Sequence, residues 1–532
     1  MPSGVQRING VEYVYEYDST WNSDKKYGTH KRNYIGKMVN DVFMPNKKYR
    51  LQQELEVEKK KSPGPVATTQ CRRSFYGATY LLDAIGEKLG IIDDLKECFP
   101  DTYQQVLSIV YYLIMEDRNP MSRFPKWAST HVHPFGSNIP SQRSSELFGS
   151  IHEDGKQNFF LKQGRRRLEK EFLAYDTTSV SSYSKSLKQV KYGINKDHDP
   201  LPQLNLALLF GENSRLPVYY RKLPGNISDV KTIQNLLADI DFLQIDKVKL
   251  VMDRGFYSET NINAMYQKHY KFLMATKTSL KFVQKALNEV RETMVSRPHY
   301  SSKYKLYYHS STIDWNYTES KKRSGELVTG ERRMYLHLFY NDQKATDDKI
   351  EFNDVLDTLE MELLSKKRNQ EHEKLYAKYK YYEIKETPVR GITLIHKQEA
   401  IDAVKKHYGY FALVSNAVKD PLDALDIYRS KDVVERAFGN LKERLNMRRT
   451  SVSSSENLEG KLFVQFIALI YLSYIRKAMC ENDLYKNYTT QELIDDLDVI
   501  ERYEQPGKKH RMGEMTKKQT NLYIALGVSA PS

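Results

Sequence analysis

The feature that most constrains this chain is a change of rhythm at Glu171. Strand-like runs over 172–180, 204–210 and 216–221 are followed by a helical segment over 229–240. Residues 248–252 then read as a buried strand, 259–268 as a helix and 272–276 as another strand, on their runs of branched and aromatic residues. Three strands followed by helix, strand, helix, strand predict an α/β arrangement around a mixed sheet.

The flanking stretches differ. Residues 1–65 form a basic strand-and-turn segment, with an aromatic strand-like piece over 11–17 and basic turns at 25–28 and 30–33. Lys59 to Lys61 and the following Ser62-Pro63-Gly64-Pro65 read as a linker. Residues 66–170 have helical spacing, for example Leu81, Ile85 and Leu89, then Val106, Val110 and Leu113, with Ser141 as an N-cap. This stretch closes on Arg165-Arg166-Arg167 and is read as a DNA-binding region, or as a packing subdomain whose basic residues face solvent. Residues 278–405 interrupt the α/β order with strand-like pieces at 304–308, 334–339 and 381–384 and a charged helical stretch over 347–380. After a strand signal at 408–414 come helices over 420–444 and 456–479, and 481–532 reads as a basic tail.

Net charge narrows the partners. The balance of 82 Lys+Arg against 68 Asp+Glu gives +14, which favours a polyanion. The three cysteines, Cys71, Cys98 and Cys480, are scattered and fit a reducing compartment without a disulfide framework. His131 and His133 lack further local ligands and read as loop residues. The first residues lack a signal-peptide profile, and the most apolar run, 462–475, is too short to span a bilayer. Its Phe463, Phe466, Ile467 and Ile470 suggest a core helix. A soluble cytoplasmic protein, associated with the nucleoid and without a membrane partner, is the expectation.

Three acids stand out. Asp176 lies inside a strand-like run, where an ionised group is costly unless it faces a partner or a metal. Asp253 ends a strand just before Arg254-Gly255, where open α/β sheets place their ligands. Glu435 lies on a helix with Tyr428, Lys431 and Lys442. Steps of three, four and seven residues put these four on one face, within roughly 60° of arc. Spacing alone also allows Lys431 and Glu435 to be an ordinary exposed pair.

These residues carry a family resemblance. Asp176-Thr177-Thr178, Asp253-Arg254-Gly255-Phe256-Tyr257 and a helix-borne Tyr-x2-Arg-x3-Glu-x6-Lys signature resemble the DDE transposases of insertion sequences, over about 171–479. The last signature is that of the IS4 superfamily and points to its IS1634-like branch. Here it reads Tyr428, Lys431, Glu435 and Lys442; Lys431 stands where the family usually has Arg, so the charge remains without the bidentate fork. Arg429 and Arg436 project elsewhere on the helix. The Leu-Pro-Gly-Asn-Ile-Ser-Asp turn at 223–229 also resembles one in the family and is read as structural.

The resemblance implies an RNase H-like core in two parts, 171–277 and 406–480, interrupted by a largely β insertion subdomain at 278–405. Asp176, Asp253 and Glu435 would hold two divalent ions, Mg²⁺ with Mn²⁺ as a substitute, for phosphodiester hydrolysis and transfer of a 3′-OH end to target DNA. Tyr428, Lys431, Lys442 and Arg254 would contact double-stranded DNA. Cut-and-paste release through a hairpin would stack a flipped base on an aromatic ring, for which Trp315 is the candidate. A homodimer on DNA would hold both element ends. The alternatives are a structure-selective nuclease on the same fold and a domesticated, catalytically silent DNA-binding protein.

Overall fold

A computed structural model describes residues 3–22, 27–40, 42–59, 71–166, 171–243, 248–320, 327–367, 369–373, 375, 381–387, 391–450, 452 and 454–531. Beyond Lys59, the expected linker falls outside these residues, as do Lys25, Lys26 and Arg167. The chain divides into two compact units, residues 1–72 with 504–510, and residues 73–503 with 511–532.

In the first unit, β1 (Ser3–Ile8), β2 (Val11–Asn22), β3 (Tyr27–Val39) and β4 (Val42–Pro45) form an antiparallel meander, followed by α1 (Lys47–Lys59). Asn9-Gly10 makes the first turn with both φ angles positive, 48° and 79°, as a two-residue hairpin with right-handed strand twist requires. The turn expected at 30–33 is part of β3. Asn33 pairs with Glu16, and the Arg32 guanidinium lies 4.9 Å from the Tyr15 ring centroid, so a basic run is accommodated within a strand by the neighbouring aromatic.

The second unit enters through β5 (Arg72–Phe75) and six helices: α2 (Gly77–Lys88), α3 (Ile91–Cys98), α4 (Tyr103–Met115), α5 (Phe124–Thr130), α6 (Ser141–Ser150) and α7 (Glu153–Arg165). Ser141 opens α6 but does not cap it; Pro140 holds the N-cap position, and the Ser141 carbonyl instead accepts from Ser144. The main sheet follows. β6 (Leu173–Ser182), β7 (Gln203–Gly211) and β8 (Pro217–Pro224) form an antiparallel meander, then come α8 (Asp229–Phe242), β9 (Lys249–Met252), α9 (Glu259–Gln267) and β10 (Lys271–Thr276). Strands β9 and β10 run parallel to β6, giving the order β8-β7-β6-β9-β10.

The stretch expected as a largely β insertion is mixed. It contains α10 (Lys281–Met294), β11 (Tyr300–Ser301), β12 (Leu306–Ser320), β13 (Leu327–Tyr340), α11 (Asp342–Leu364), the hairpin β14 (Tyr382–Thr387) and β15 (Gly391–His396), and α12 (Gln398–Lys405). Its long hairpin is no separate sheet: β16 (Tyr410–Ser415) pairs with β10 on one side and β13 on the other. Buried residues on both faces of β13, from Met334 to Phe339, explain why it continues the main sheet.

The chain then forms α13 (Pro421–Ser430), α14 (Asp432–Gly439), a π-turn at Asn440–Arg444, β17 (Arg449–Thr450) beside β6, and the 27-residue α15 (Ser455–Glu481). α15 is long and apolar enough to cross a membrane by length and composition, but 83% of its most apolar window is buried inside the protein. Phe463 and Phe466 meet Phe160, and Tyr471 meets Tyr111, so the helices of 66–170 share one core with the sheet. His131 and His133 belong to that core too: His131 bonds Asp498 and stacks on Trp127, and His133 bonds Ser108. The expected C-terminal tail is folded. α16 (Thr490–Asp498) and α17 (Lys517–Ala525) carry capping boxes, and buried Tyr523 donates to the Gly77 carbonyl at 2.9 Å.

Candidate active site

β6 is buried along its length except at one residue, Asp176. Its neighbour β9 runs parallel with Tyr175 opposite Met252, so Asp176 and Asp253 follow side by side at the carboxyl end of the strand pair. Asp253 terminates β9 because its side chain caps the next turn, accepting from the Arg254 N–H at 2.7 Å. Gly255 lets that turn pass close to α8: a Cβ there would stand 3.3 Å from Asp229 Oδ2.

Each aspartate has its own support. Around Asp176, Lys196 Nζ donates to the Thr177 carbonyl at 2.8 Å and the Thr177 hydroxyl oxygen at 2.7 Å, and lies 3.1 Å from Asp229 and 3.8 Å from Asp176. The Thr177 hydroxyl in turn donates to Asp229 at 2.5 Å. Burial pushes the Asp176 carboxyl above its ordinary range, against the charges of Lys196 and Lys431. Asp253 goes the other way. Burial alone would raise it, but the Arg254 N–H, the Tyr428 hydroxyl at 2.8 Å and the charges of Lys431 and Arg254 together hold it below its ordinary value. Tyr428 is shifted well upward by burial and the adjacent Asp253 charge, so its proton stays on.

The helix carrying the signature is not uniform, which changes what one face means. The chain tightens at Lys431, where Lys431 N bonds Tyr428 O and Val434 N bonds Lys431 O, and widens at the π-turn, where Leu445 N reaches Asn440 O. Tyr428, Lys431 and Glu435 stay together at the acids. Lys442, in the π-turn, bonds Asp197 at 2.6 and 2.7 Å, one residue from the Lys196 that borders Asp176. Lys431 is only 3% exposed. Burial disfavours its charge, yet Asp176, Glu435 and Asp253 outweigh burial and raise its pKa, and it bonds Glu435 Oε1 at 3.0 Å. Glu435 is the outermost acid, its side chain 59% exposed.

Among the described residues, no three His, Cys, Asp or Glu side chains converge tightly enough to hold a metal ion. The two aspartates side by side offer the hard oxygen donors a divalent cation takes, whereas Glu435 is turned to the Lys431 ammonium. A cleft of about 750 Å³ opens beside Asp253, lined by Arg254, Thr276, Tyr408, Tyr410 and Tyr428. Trp315 does not line this cleft. It lies on β12 with its indole N–H donating to Asn263 at 2.8 Å and its ring edge-on to Phe282.

Sequence reasoning read Asp229 only as part of a structural turn and missed Lys196. An acid in the first turn of a helix that follows a strand was a usable signal for Asp229. Lys196 sits in a polar loop and offered none.

The chain has counterparts among known proteins. A family model described as "Transposase DDE domain" matches residues 167–471. No curated protein sequence matches the chain. Among solved structures, a piggyBac transposase synaptic complex with hairpin DNA aligns at 11% identity over 84% of this chain and 74% of that one, with a TM-score of 0.32. A Mos1 transposase paired-end complex with the left transposon end aligns at 13% identity over 43% of this chain and 67% of that one, with a TM-score of 0.14. The family match takes in more than half of the chain, including the strand-borne aspartates and Glu435, and by it the chain belongs to the transposase DDE domain family.

Proposed function

We propose that this chain is the DNA transposase of an insertion sequence, cutting at terminal inverted repeats and joining the freed 3′-OH ends to target DNA. The observation that carries the reading is that Asp176 and Asp253 both follow directly on the paired parallel segment of β6 and β9, with Tyr428 and Lys431 bonded to Asp253 and Glu435 from the α13–α14 stretch. The strand order β8-β7-β6-β9-β10 supports an RNase H-like core. The Tyr428, Lys431, Glu435 and Lys442 spacing supports membership of the IS4 superfamily and its IS1634-like branch. The protein acts in the cytoplasm as a dimer that holds two DNA ends.

Asp176, Asp253 and Glu435 would hold the divalent ions, with Mg²⁺ the physiological choice. When bound, such ions supply charge neutralisation and an acidified water for attack on a phosphodiester. The chain's own groups prepare that chemistry. Thr177 and Lys196 hold the strand beside Asp176, Tyr428 keeps Asp253 ionised, and Lys431 orients Glu435. Arg254 and Lys442 border this centre and would meet phosphates, as Lys431 would once released from Glu435. In a hairpin route, a displaced base would stack on Trp315.

The test is to give the purified protein, with Mg²⁺, DNA bearing the terminal repeats that flank its gene. End cleavage followed by joining is expected. Cleavage without joining would favour a structure-selective nuclease, and binding alone a domesticated protein.

A further inference from the structure

The residues next in sequence to Tyr428, Lys431 and Glu435 build a second groove. Arg429, Asp432 and Arg436 are turned about 100° around the same helical stretch. They face Arg476 and Lys477 at the end of α15 and Asn213 and Arg215 in the β7–β8 turn, enclosing about 570 Å³. The acids at this groove are Glu212, Asp426, Asp432 and Glu481. Asp426 accepts from Tyr304 and Lys303, Glu481 lies 3.9 Å from Lys477, and burial raises the Glu212 carboxyl above its ordinary range. Arg436 and Arg476 form no ion pair among the described residues, although they flank one groove.

Both guanidiniums line the groove together with Asp432, and a bound polyanion would give them partners whose oxygens match the planar fork of arginine. We infer that this groove binds the sugar-phosphate backbone of duplex DNA, as a second track separate from the strand at Asp253. Asn213, Asn440 and Ser473 add neutral polar groups that can contact phosphate or sugar without reading bases. The inference rests on the transposase reading but concerns a face that none of its catalytic residues line.

The experiment measures duplex affinity by fluorescence anisotropy across a salt series, with full-length wild type, R436Q/R476Q and R436K/R476K. The glutamine pair should weaken binding and lower the slope of log affinity against log salt by roughly one per lost phosphate contact. The lysine pair should keep most of the slope. Matching melting curves guard against misfolding. An unchanged slope in R436Q/R476Q overturns the proposal. So does inorganic phosphate at low millimolar concentration cancelling the difference between wild type and R436Q/R476Q, since that marks a free-anion site. If wild type binds no duplex at all, the transposase reading itself fails.

Discussion

The Tyr428 hydroxyl donates to Asp253 Oδ1 at 2.8 Å, tying the signature helix to the end of β9. This bond is one of the groups that keep Asp253 below its ordinary pKa. Y428F should therefore let the Asp253 pKa rise. Because the ionised carboxylate is the useful form, the acid limb of the cleavage pH profile should move to higher pH. A bond to a charged group contributes about 1.5–3 kcal/mol, so cleavage at neutral pH should fall by roughly tenfold or more. A pH–rate profile checks both.

Asp176 has the opposite electrostatics, and the sign follows. Its folded-state pKa is raised, chiefly by burial, so the folded protein prefers the neutral carboxyl. Its ionisation costs stability as pH climbs from the ordinary carboxylate value toward the raised one. D176N should thus melt higher than wild type at pH 7 while losing cleavage. The gain should shrink at about pH 4 and below, where wild-type Asp176 is protonated too. Thermal melts at the two pH values decide it.

Asp229 acts through others. It accepts from Thr177 and pairs with Lys196, which also grips the Thr177 carbonyl. D229A leaves the Thr177 hydroxyl and part of the Lys196 ammonium without their acceptor, so about 1–2 kcal/mol of stability should be lost. Asp176 would lose its fixed position, and cleavage should fall at least tenfold with little change in DNA affinity. Chemical denaturation and single-turnover cleavage give the two readouts.

Lys431 is a buried cation with carboxylates around it. K431M removes it while preserving volume, so the acids repel one another and melting in chelator should drop by several degrees. K431R keeps the charge and, with a planar fork, should retain cleavage within about tenfold of wild type. Equal melting of K431M and wild type in chelator would contradict this.

How far the sequence anticipated this molecule follows from burial. The runs at β7, β9 and β10 are largely apolar because both sheet faces are covered, and Asp253 follows directly on the end of β9. The π-turn was not readable, since Asn440 to Arg444 has ordinary helix-compatible residues, and neither was the bond of Lys442 to Asp197. The length of β12 and β13 was under-read because polar residues such as Ser310, Ser311 and Thr312 interrupt the apolar rhythm. The apparent tail at 481–532 carries its buried residues too sparsely to stand out, Leu493, Leu497, Leu522 and Tyr523 among charged neighbours. Asp229 was read only as the end of a structural turn, because nothing in 223–229 shows that its carboxylate holds Thr177.

The central claim is that Glu435 acts with the two aspartates, although it is more exposed and paired to Lys431. Single-turnover cleavage of a terminal-repeat duplex in Mg²⁺ by E435Q, beside D176N and D253N, tests it most directly. All three should lose at least about a thousandfold in rate, or roughly 4 kcal/mol, while still binding the duplex. E435Q cleaving within tenfold of wild type, with both aspartate variants dead, would contradict the three-carboxylate site.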